Sequence, residues 1–398
     1  MSKHAYLIES LAPLVFRSGK PFGSIASAQD ATFPLPSATA GLIRALSIEQ
    51  GVGQFAKYKG KLQDAEYQKL LSISAQGPFL VRFNPENYDD YTILVPKPAN
   101  ALYFENREDK KTYLVRLAPQ AFDTDLCGSD LPEGLLPVQM QVEKEIKGKP
   151  QSGVSYWSLQ HFLAWQQHTQ LSFEEVEKDG LKALPIDIRT HVKIDAKTLS
   201  SEDGKLFQTA SLDLNHQSQP DDRTTGTKWN ENRYGFAIFT DQSLKQDLAT
   251  LGGERRLSYF KPVQLSTSFQ LPNHLLEEIN QANGFSLSLL TPVVFEQGYL
   301  PSWIDAKTLQ GKLPNSEVEL KLEAVAIDRW LPVSGWDSIV WKPKATRKAV
   351  GAGSVYWFKL LSPMNQKTLE QLWTQAIADH PQDQRDGFGV ALISAWSK

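Results

Sequence analysis

Ala5-Tyr6-Leu7-Ile8-Glu9-Ser10-Leu11-Ala12-Pro13-Leu14-Val15-Phe16 is an apolar run, closed by the turn Arg17-Ser18-Gly19-Lys20-Pro21. An apolar run bounded by turn residues predicts a buried first strand. Phe33-Pro34-Leu35-Pro36-Ser37 then sets up a helix, with Ser37 as N-cap and Leu42, Ile43 and Leu46 on one face. That helix is expected to end near Gly51-Val52-Gly53. Short strands follow over residues 78–83, 91–96 and 101–104, after a helix over 57–74. Residues 155–167 form an amphipathic helix with Trp157, Phe162 and Trp165 available to pack. Residues 186–195 and 206–214 read as a hairpin with a long turn around Asp203-Gly204.

A second alternation begins at Tyr234. Strands are predicted over 234–240, 257–262, 285–295, 318–328, 355–361 and 390–395. A helix over 365–378 carries Leu369, Leu372 and Trp373 in phase. Each half is therefore a sheet backed by helices, which makes the chain α+β. The polar stretch 215–232 marks the boundary, dividing the chain into residues 1–225 and 226–398. Residues 123–150, with Gly, Pro and charges, read as an exposed insertion.

The composition bounds the function. With 398 residues, 41% of them hydrophobic, the chain is globular and long enough for two domains. The net charge of −3 argues against a free-standing binder of bulk nucleic acid. A local basic groove stays compatible with it, because salt screens charges beyond roughly 10 Å. The single cysteine, Cys127, fits a reducing cytoplasm. No stretch approaches the ~18 apolar residues of a membrane span, and no signal peptide is read at the N-terminus.

Three basic segments are fused to glycine turns and then to strands. Leu251-Gly252-Gly253-Glu254-Arg255-Arg256 runs into Leu257-Ser258-Tyr259-Phe260. Lys342-Pro343-Lys344-Ala345-Thr346-Arg347-Lys348 runs through Gly351-Ala352-Gly353 into Ser354-Val355-Tyr356-Trp357-Phe358. Arg385-Asp386-Gly387-Phe388-Gly389 closes the series. Glycine lets backbone N–H groups face an anion, and Arg and Lys supply charge-assisted contacts to phosphate. The second segment matches backbone tracking plus aromatic stacking; it also fits a basic edge loop beside a buried strand. Arg17, Lys20, Ser37, Thr39 and Arg44 lie around a helix start, where phosphate is favoured; the alternative, which the sequence alone favours, is an ordinary capped helix with a solvated Arg.

The seven histidines, at 4, 161, 168, 191, 216, 274 and 380, form no pair with metal-ligand spacing. No Walker loop, nucleophile elbow or dinucleotide fingerprint is present. No metal or cofactor is implied, and the chain is not read as an enzyme. The candidate for a catalytic surface is His191, with Lys193 and Asp195 on the same strand face by period-two alternation.

The order of these segments resembles the third subunit of the type III-B (Cmr) CRISPR effector complex, in the RAMP superfamily of RNA-binding proteins. The resemblance covers nearly the whole chain. It rests on the Arg17–Lys20 turn, the 33–44 helix start, His191–Asp195 before Asp203-Gly204, the Gly252-Gly253 turn, Gly353-Ser354 and the closing Gly387-Phe388-Gly389. It implies two ferredoxin-like (RRM-like) modules with insertions. It also implies a non-catalytic subunit in antiviral defence that holds the 5′ tag of the CRISPR RNA at the base of the complex. The implied protein partners are the large polymerase-domain subunit, the repeated backbone RAMP subunit and the tag-end RAMP subunit, with target RNA met mainly through other subunits. Carried over by position, the RNA-binding set is Arg17, Lys20, Ser37, Thr39, Arg44, Gly252, Gly253, Arg255, Arg256, Lys344, Arg347, Gly353 and Ser354. Tyr259, Tyr356 and Arg256 are the platforms on which splayed bases would stack. The departures are Gly351, where a proline is often expected, and the short terminal glycine segment. The alternative is a metal-independent endoribonuclease that processes CRISPR RNA, with His191 as general acid or base and Lys193 stabilising charge.

Overall fold

The computed structural model describes residues 4–16, 32–51, 65–122, 128–142, 147–215, 233–266, 269–337 and 342–397. The chain opens with β1 (His4–Ser10), α1 (Pro36–Glu49), α2 (Ala65–Ser72), β2 (Ala75–Asn84) and β3 (Asn87–Pro96). An inserted stretch follows: β4 (Ala101–Asn106), β5 (Thr112–Pro119), β6 (Val138–Met140), β7 (Gly148–Pro150), β8 (Tyr156–Ser158), α3 (Leu159–Gln166) and α4 (Phe173–Asp179). The hairpin β9 (Ile186–Ile194) and β10 (Ser201–Leu212) leads to β11 (Arg233–Thr240), β12 (Asp247–Thr250) and β13 (Leu257–Val263). The rest of the chain begins with α5 (Leu275–Ala282), β14 (Gly284–Leu289), β15 (Gln310–Lys312) and β16 (Glu319–Ala326). A ribbon of β17 (Trp330–Val333), β18 (Trp336–Asp337), β19 (Lys342–Pro343) and β20 (Arg347–Val350) precedes β21 (Val355–Leu360), α6 (Gln366–Leu372), α7 (Pro381–Asp386) and β22 (Ala391–Ala395).

The architecture is α+β with antiparallel sheets, as the sequence predicts at that level. One sheet has seven strands in the order β12-β13-β1-β11-β2-β3-β8, and another has five in the order β15-β16-β21-β14-β22. The division at 225/226 is overturned. β11 pairs with β1 and β2, β13 pairs with β1, and β12 pairs with β13, so all three strands beyond residue 226 belong to the first sheet. The polar stretch around 215–232 therefore joins two parts of one sheet. The second sheet starts only after β13.

β1 lies inside the seven-stranded sheet, between β13 and β11, and is buried on both faces, which explains an apolar run interrupted by Glu9 and Ser10. Tyr6 and Ile8 meet Ala40, Ile43 and Leu46 of α1, while Ala5 and Leu7 join a cluster that continues into Phe285 and Leu287 of the second sheet. One core thus spans both halves. The strand stops at Ser10, short of the predicted 16, and Leu14 and Val15 make isolated bridges to Leu212 and Gly253. The helix predicted over 365–378 ends at Leu372. Trp373 turns extended, and its indole N–H donates to the Phe269 carbonyl at 2.7 Å. Burying the indole outweighs continuing the helix. The segment 155–167 begins as β8 and becomes helical at Leu159, where the Ser158 hydroxyl accepts from His161 N. Residues 135–140 of the expected exposed insertion are half-buried, because Leu136 and Val138 pack beside Trp357 and Trp396. Cys127 and the 216–232 stretch lie outside the described residues. Among the described residues, no helix is long and apolar enough to cross a membrane.

Candidate nucleic-acid interface

Arg17 and Lys20 lie outside the described residues. Ser37 is not the N-cap of α1. Leu35 occupies that position with extended backbone, and Pro36 follows at the first helical position, where its fixed φ suits the helix. Thr39 is fully buried, and its hydroxyl donates to the Pro36 carbonyl at 3.0 Å. Arg44 turns inward. Its Nη2 lies 2.7 Å from Asp386 Oδ1 on α7 and donates to the Ile73 carbonyl at 3.0 Å, with both side chains about nine-tenths buried. The expectation that Thr39 and Arg44 face a phosphate at this helix start is therefore corrected, because the Thr39 hydroxyl is engaged inside the helix and Arg44 is spent on an internal ion pair. Ser37 is half-buried.

The Gly252-Gly253 turn packs on the end of the first apolar run. Gly253 N donates to the Val15 carbonyl at 2.7 Å. Gly252 has φ +76°, and a Cβ there would stand 2.6 Å from Val15 O, so only glycine fits. This contact brings the turn beside residue 15, two positions before Arg17. Arg255 projects outward, exposed and without an ion pair among the described residues. Arg256 is held by its neighbour Glu254 at 2.7 Å.

The third turn separates into two parts. Gly353 and Ser354 are structural. Gly353 has φ +88°, and a Cβ would stand 2.4 Å from the Lys97 carbonyl. Gly353 O accepts from Ala99 N, and the Ser354 hydroxyl, itself buried, donates to Gly351 O. Gly353→Val is expected to destabilise the fold by about 1–3 kcal/mol or more, from the backbone conformation alone. A urea denaturation midpoint equal to that of the parent chain would contradict this.

The ribbon before that turn is the exposed part. β17 pairs with β20, setting Pro332 opposite Lys348 and Val333 opposite Arg347. Alternation sends Leu331, Val333, Arg347 and Ala349 to one face, and Trp330 and Lys348 to the other. Val333 and Ala349 are buried, so Arg347 on their face meets α7. It makes a two-pronged pair with Asp383, at 2.6 and 2.8 Å, which holds its pKa above the ordinary guanidinium value. Arg347 is thus a brace, with less than half of its side chain exposed. Trp330 is 59% exposed and Trp336 47% exposed. Lys348 Nζ stands 5.4 Å from the Trp330 ring centre. Lys342 and Lys344 are exposed on the same ribbon. Two presented indoles flanked by three lysines form the chemistry of a single-strand platform.

The sequence reading missed Trp330 and Trp336. The signal was two tryptophans within seven residues, between polar turns and just ahead of the basic run. Two platforms that the sequence favoured behave differently. Tyr356 is buried, and its hydroxyl donates to the Tyr299 carbonyl; Tyr259 is 37% exposed, with Lys261 Nζ 5.3 Å from its ring. The closing Gly387-Phe388-Gly389 segment is buried behind α7, and Gly387 O accepts from the Thr291 hydroxyl.

His191 sits on the exposed β9–β10 hairpin, with Nε2 2.9 Å from the Thr209 hydroxyl. Asp195 is past the end of β9, and its carboxylate accepts from the backbone N–H groups of Lys197 and Thr198, which holds its pKa low. It closes the turn instead of sharing a face with His191. No group of three or more His, Cys, Asp or Glu side chains that could hold a metal ion occurs among the described residues.

The family described as CRISPR-associated protein (Cas_Cmr3) matches residues 6–396. The chain belongs to this family. The resemblance drawn from the order of the segments is thereby borne out at the level of the family. No curated protein matches it. Among solved structures, one chain of a type III-B Cmr-beta complex bound to cognate target RNA is 15% identical. That match covers 97% of this chain and 96% of that one, with a TM-score of 0.48. A chain from the same kind of complex with target RNA and AMPPnP is also 15% identical, covering 89% and 86%, with a TM-score of 0.47. A chain of the Csm3-Csm4 subcomplex from a type III-A interference complex is 13% identical, covering 92% and 95%, with a TM-score of 0.34.

Proposed function

We propose that this Cas_Cmr3 chain is the non-catalytic subunit that grips the 5′ tag of the CRISPR RNA and docks the large polymerase-domain subunit at the base of the complex. The observation that carries this reading is the exposed ribbon, where Trp330 and Trp336 stand among Lys342, Lys344 and Lys348. Stacking on indoles is tolerant of sequence, and lysines track a phosphate backbone. Arg255 beside the Gly252 turn is a further exposed cation. The net charge of −3 is consistent with a surface that mostly meets protein: the backbone subunit, the tag-end RAMP subunit and the large subunit. Target RNA would be met mainly through those subunits, in the cytoplasm.

Two ferredoxin-like modules are the fold that this reading calls for. Four strands of each sheet support it. The run β13-β1-β11-β2 and the run β22-β14-β21-β16 both place the fourth, first, third and second strand of their set side by side. The hairpin β9–β10 and the stretch β3–β8 are then insertions in the first module.

The experiment is incubation of the purified chain with repeat RNA in EDTA. The expected result is salt-sensitive retention of the RNA at full length. Cleavage that is lost in His191→Ala would overturn the non-catalytic reading and favour a metal-independent ribonuclease.

A further inference from the structure

A second polar site lies where the inserted stretch meets the back of the five-stranded sheet. β14 alternates: Phe285, Leu287 and Leu289 join the core, while Ser286 and Ser288 face the opposite way. There they meet the end of α3. Gln166 Nε2 donates to the Ser288 hydroxyl at 2.7 Å, and its Oε1 accepts from the Ser394 hydroxyl at 3.0 Å. Small serines let the insertion approach without filling the gap. A cavity of about 190 Å³ remains. That is room for several waters, more than one small oxoanion displaces.

Its wall carries Arg116, Asn100, Gln141 and His168 from the insertion, and Trp357 and Trp396 from the sheet side. The Arg116 guanidinium lies 3.6 Å from the centre of the Trp165 ring, so one of its faces is covered. No carboxylate pairs with it among the described residues. Its hydrogen bond there is a long one, 3.4 Å from Nη2 to the Thr169 carbonyl. Burial pushes its pKa down to about 10, because the charged form loses water. Asn100 Oδ1 accepts from the Trp165 indole N–H at 3.1 Å, which leaves the Asn100 amide N–H groups as donors. His168 is held below its ordinary pKa, first by burial and then by the charge of Arg116, which favours its neutral form. The wall is therefore rich in donors and in flat rings, with one positive charge that no carboxylate pairs among the described residues. Its natural occupant is flat, bears oxygen acceptors and carries negative charge.

We propose that this cavity binds a single nucleotide, its base stacked on the free face of Arg116 and its oxygen acceptors on the N–H groups of Arg116 and Asn100. Bases stack on guanidinium planes in single-strand recognition, and Lys cannot replace Arg in that role. The nucleotide is either free in solution or one residue of an RNA strand. The loop that supplies Asn100 is pinned to the Gly353 turn through Ala99 N, yet the cavity is a site apart from the ribbon. It stands whether or not the ribbon holds RNA.

The test is calorimetric titration of the full chain with AMP, GMP, CMP, UMP, inorganic phosphate and a short single-stranded RNA. At least one nucleotide or the RNA is expected to bind. Arg116→Leu and Arg116→Lys should each weaken that binding by about tenfold or more. Gln141→Trp, which narrows the mouth and leaves the charge in place, should weaken it too, with an unchanged denaturation midpoint. Binding of a mononucleotide identifies a free-nucleotide pocket, and Arg116-dependent binding of RNA alone identifies a base taken from a strand. Equal binding of inorganic phosphate and nucleotides overturns the proposal, as does nucleotide binding that is indifferent to all three substitutions. RNA retained by the ribbon with Arg116→Leu silent would sink the cavity and spare the proposed function.

Discussion

Asp386→Ala is expected to lower the unfolding free energy by about 3–5 kcal/mol, because it strands a buried guanidinium. Arg44→Leu should cost a similar amount by stranding Asp386. Both side chains are about nine-tenths buried, so solvent screens the pair little. The pair also fastens α1 to α7, elements far apart in the chain. Domains are stable by about 5–15 kcal/mol, so such a loss is a large share of the whole. Replacing both residues with apolar ones should recover much of the loss, since the surviving partner is what makes each single change costly. Urea denaturation of the three variants checks this. A loss below about 1 kcal/mol for either single change would contradict the pair's structural role. So would weaker RNA binding at unchanged stability, which would return Arg44 to the interface.

The ribbon behaves in the opposite way. Trp330→Ala is expected to weaken RNA binding by about 1–3 kcal/mol, or roughly five- to 150-fold, with little effect on folding. The ring is 59% exposed, so its removal opens no cavity. Changing Lys342, Lys344 and Lys348 together to Ala should lower the slope of log affinity against log salt by about 0.7 per lysine. Arg347→Ala belongs to a different class. It frees a buried carboxylate, Asp383, and its main effect is on stability. Titrations of a labelled tag RNA at several salt concentrations separate the two. Unchanged affinity and slope in the lysine variant would remove the ribbon from the interface.

The contrast between Arg44, Arg347 and Lys348 shows what the sequence could carry. Strand periodicity and apolar runs are local, so β1, α1, β11, β13, β16, β21 and the β9–β10 hairpin were legible. The fate of a cation depends on a partner that folding delivers. Asp383 and Asp386 sit one turn apart on α7, and each takes one of the two arginines. Nothing near residue 44 announces this. For Arg347 and Lys348, one step in strand register decides which faces α7 and which faces outward. The domain boundary failed for a related reason. A polar stretch looks like a linker, yet β-pairing carries the chain back into the first sheet at Arg233. Trp330 and Trp336 were overlooked because tryptophan is usually core material, and only the exposed edge of a ribbon makes it a platform.

The glycines divide in the same manner. Gly252 and Gly353 were read as openings toward an anion. Their positive φ values instead serve close approach to the backbone of Val15 and Lys97. The turns brace neighbouring backbone, and Arg255 and the ribbon lysines are the exposed cations beside them.

The central claim is that the ribbon between Trp330 and Lys348 holds one end of the guide RNA. Photo-cross-linking of a tag RNA in the reconstituted effector complex, read by mass spectrometry, tests it most directly. Adducts on Trp330, Trp336 and the lysines at 342, 344 and 348 are the predicted result. Adducts confined to other surfaces of this chain, with the ribbon shielded by a protein neighbour, would contradict it.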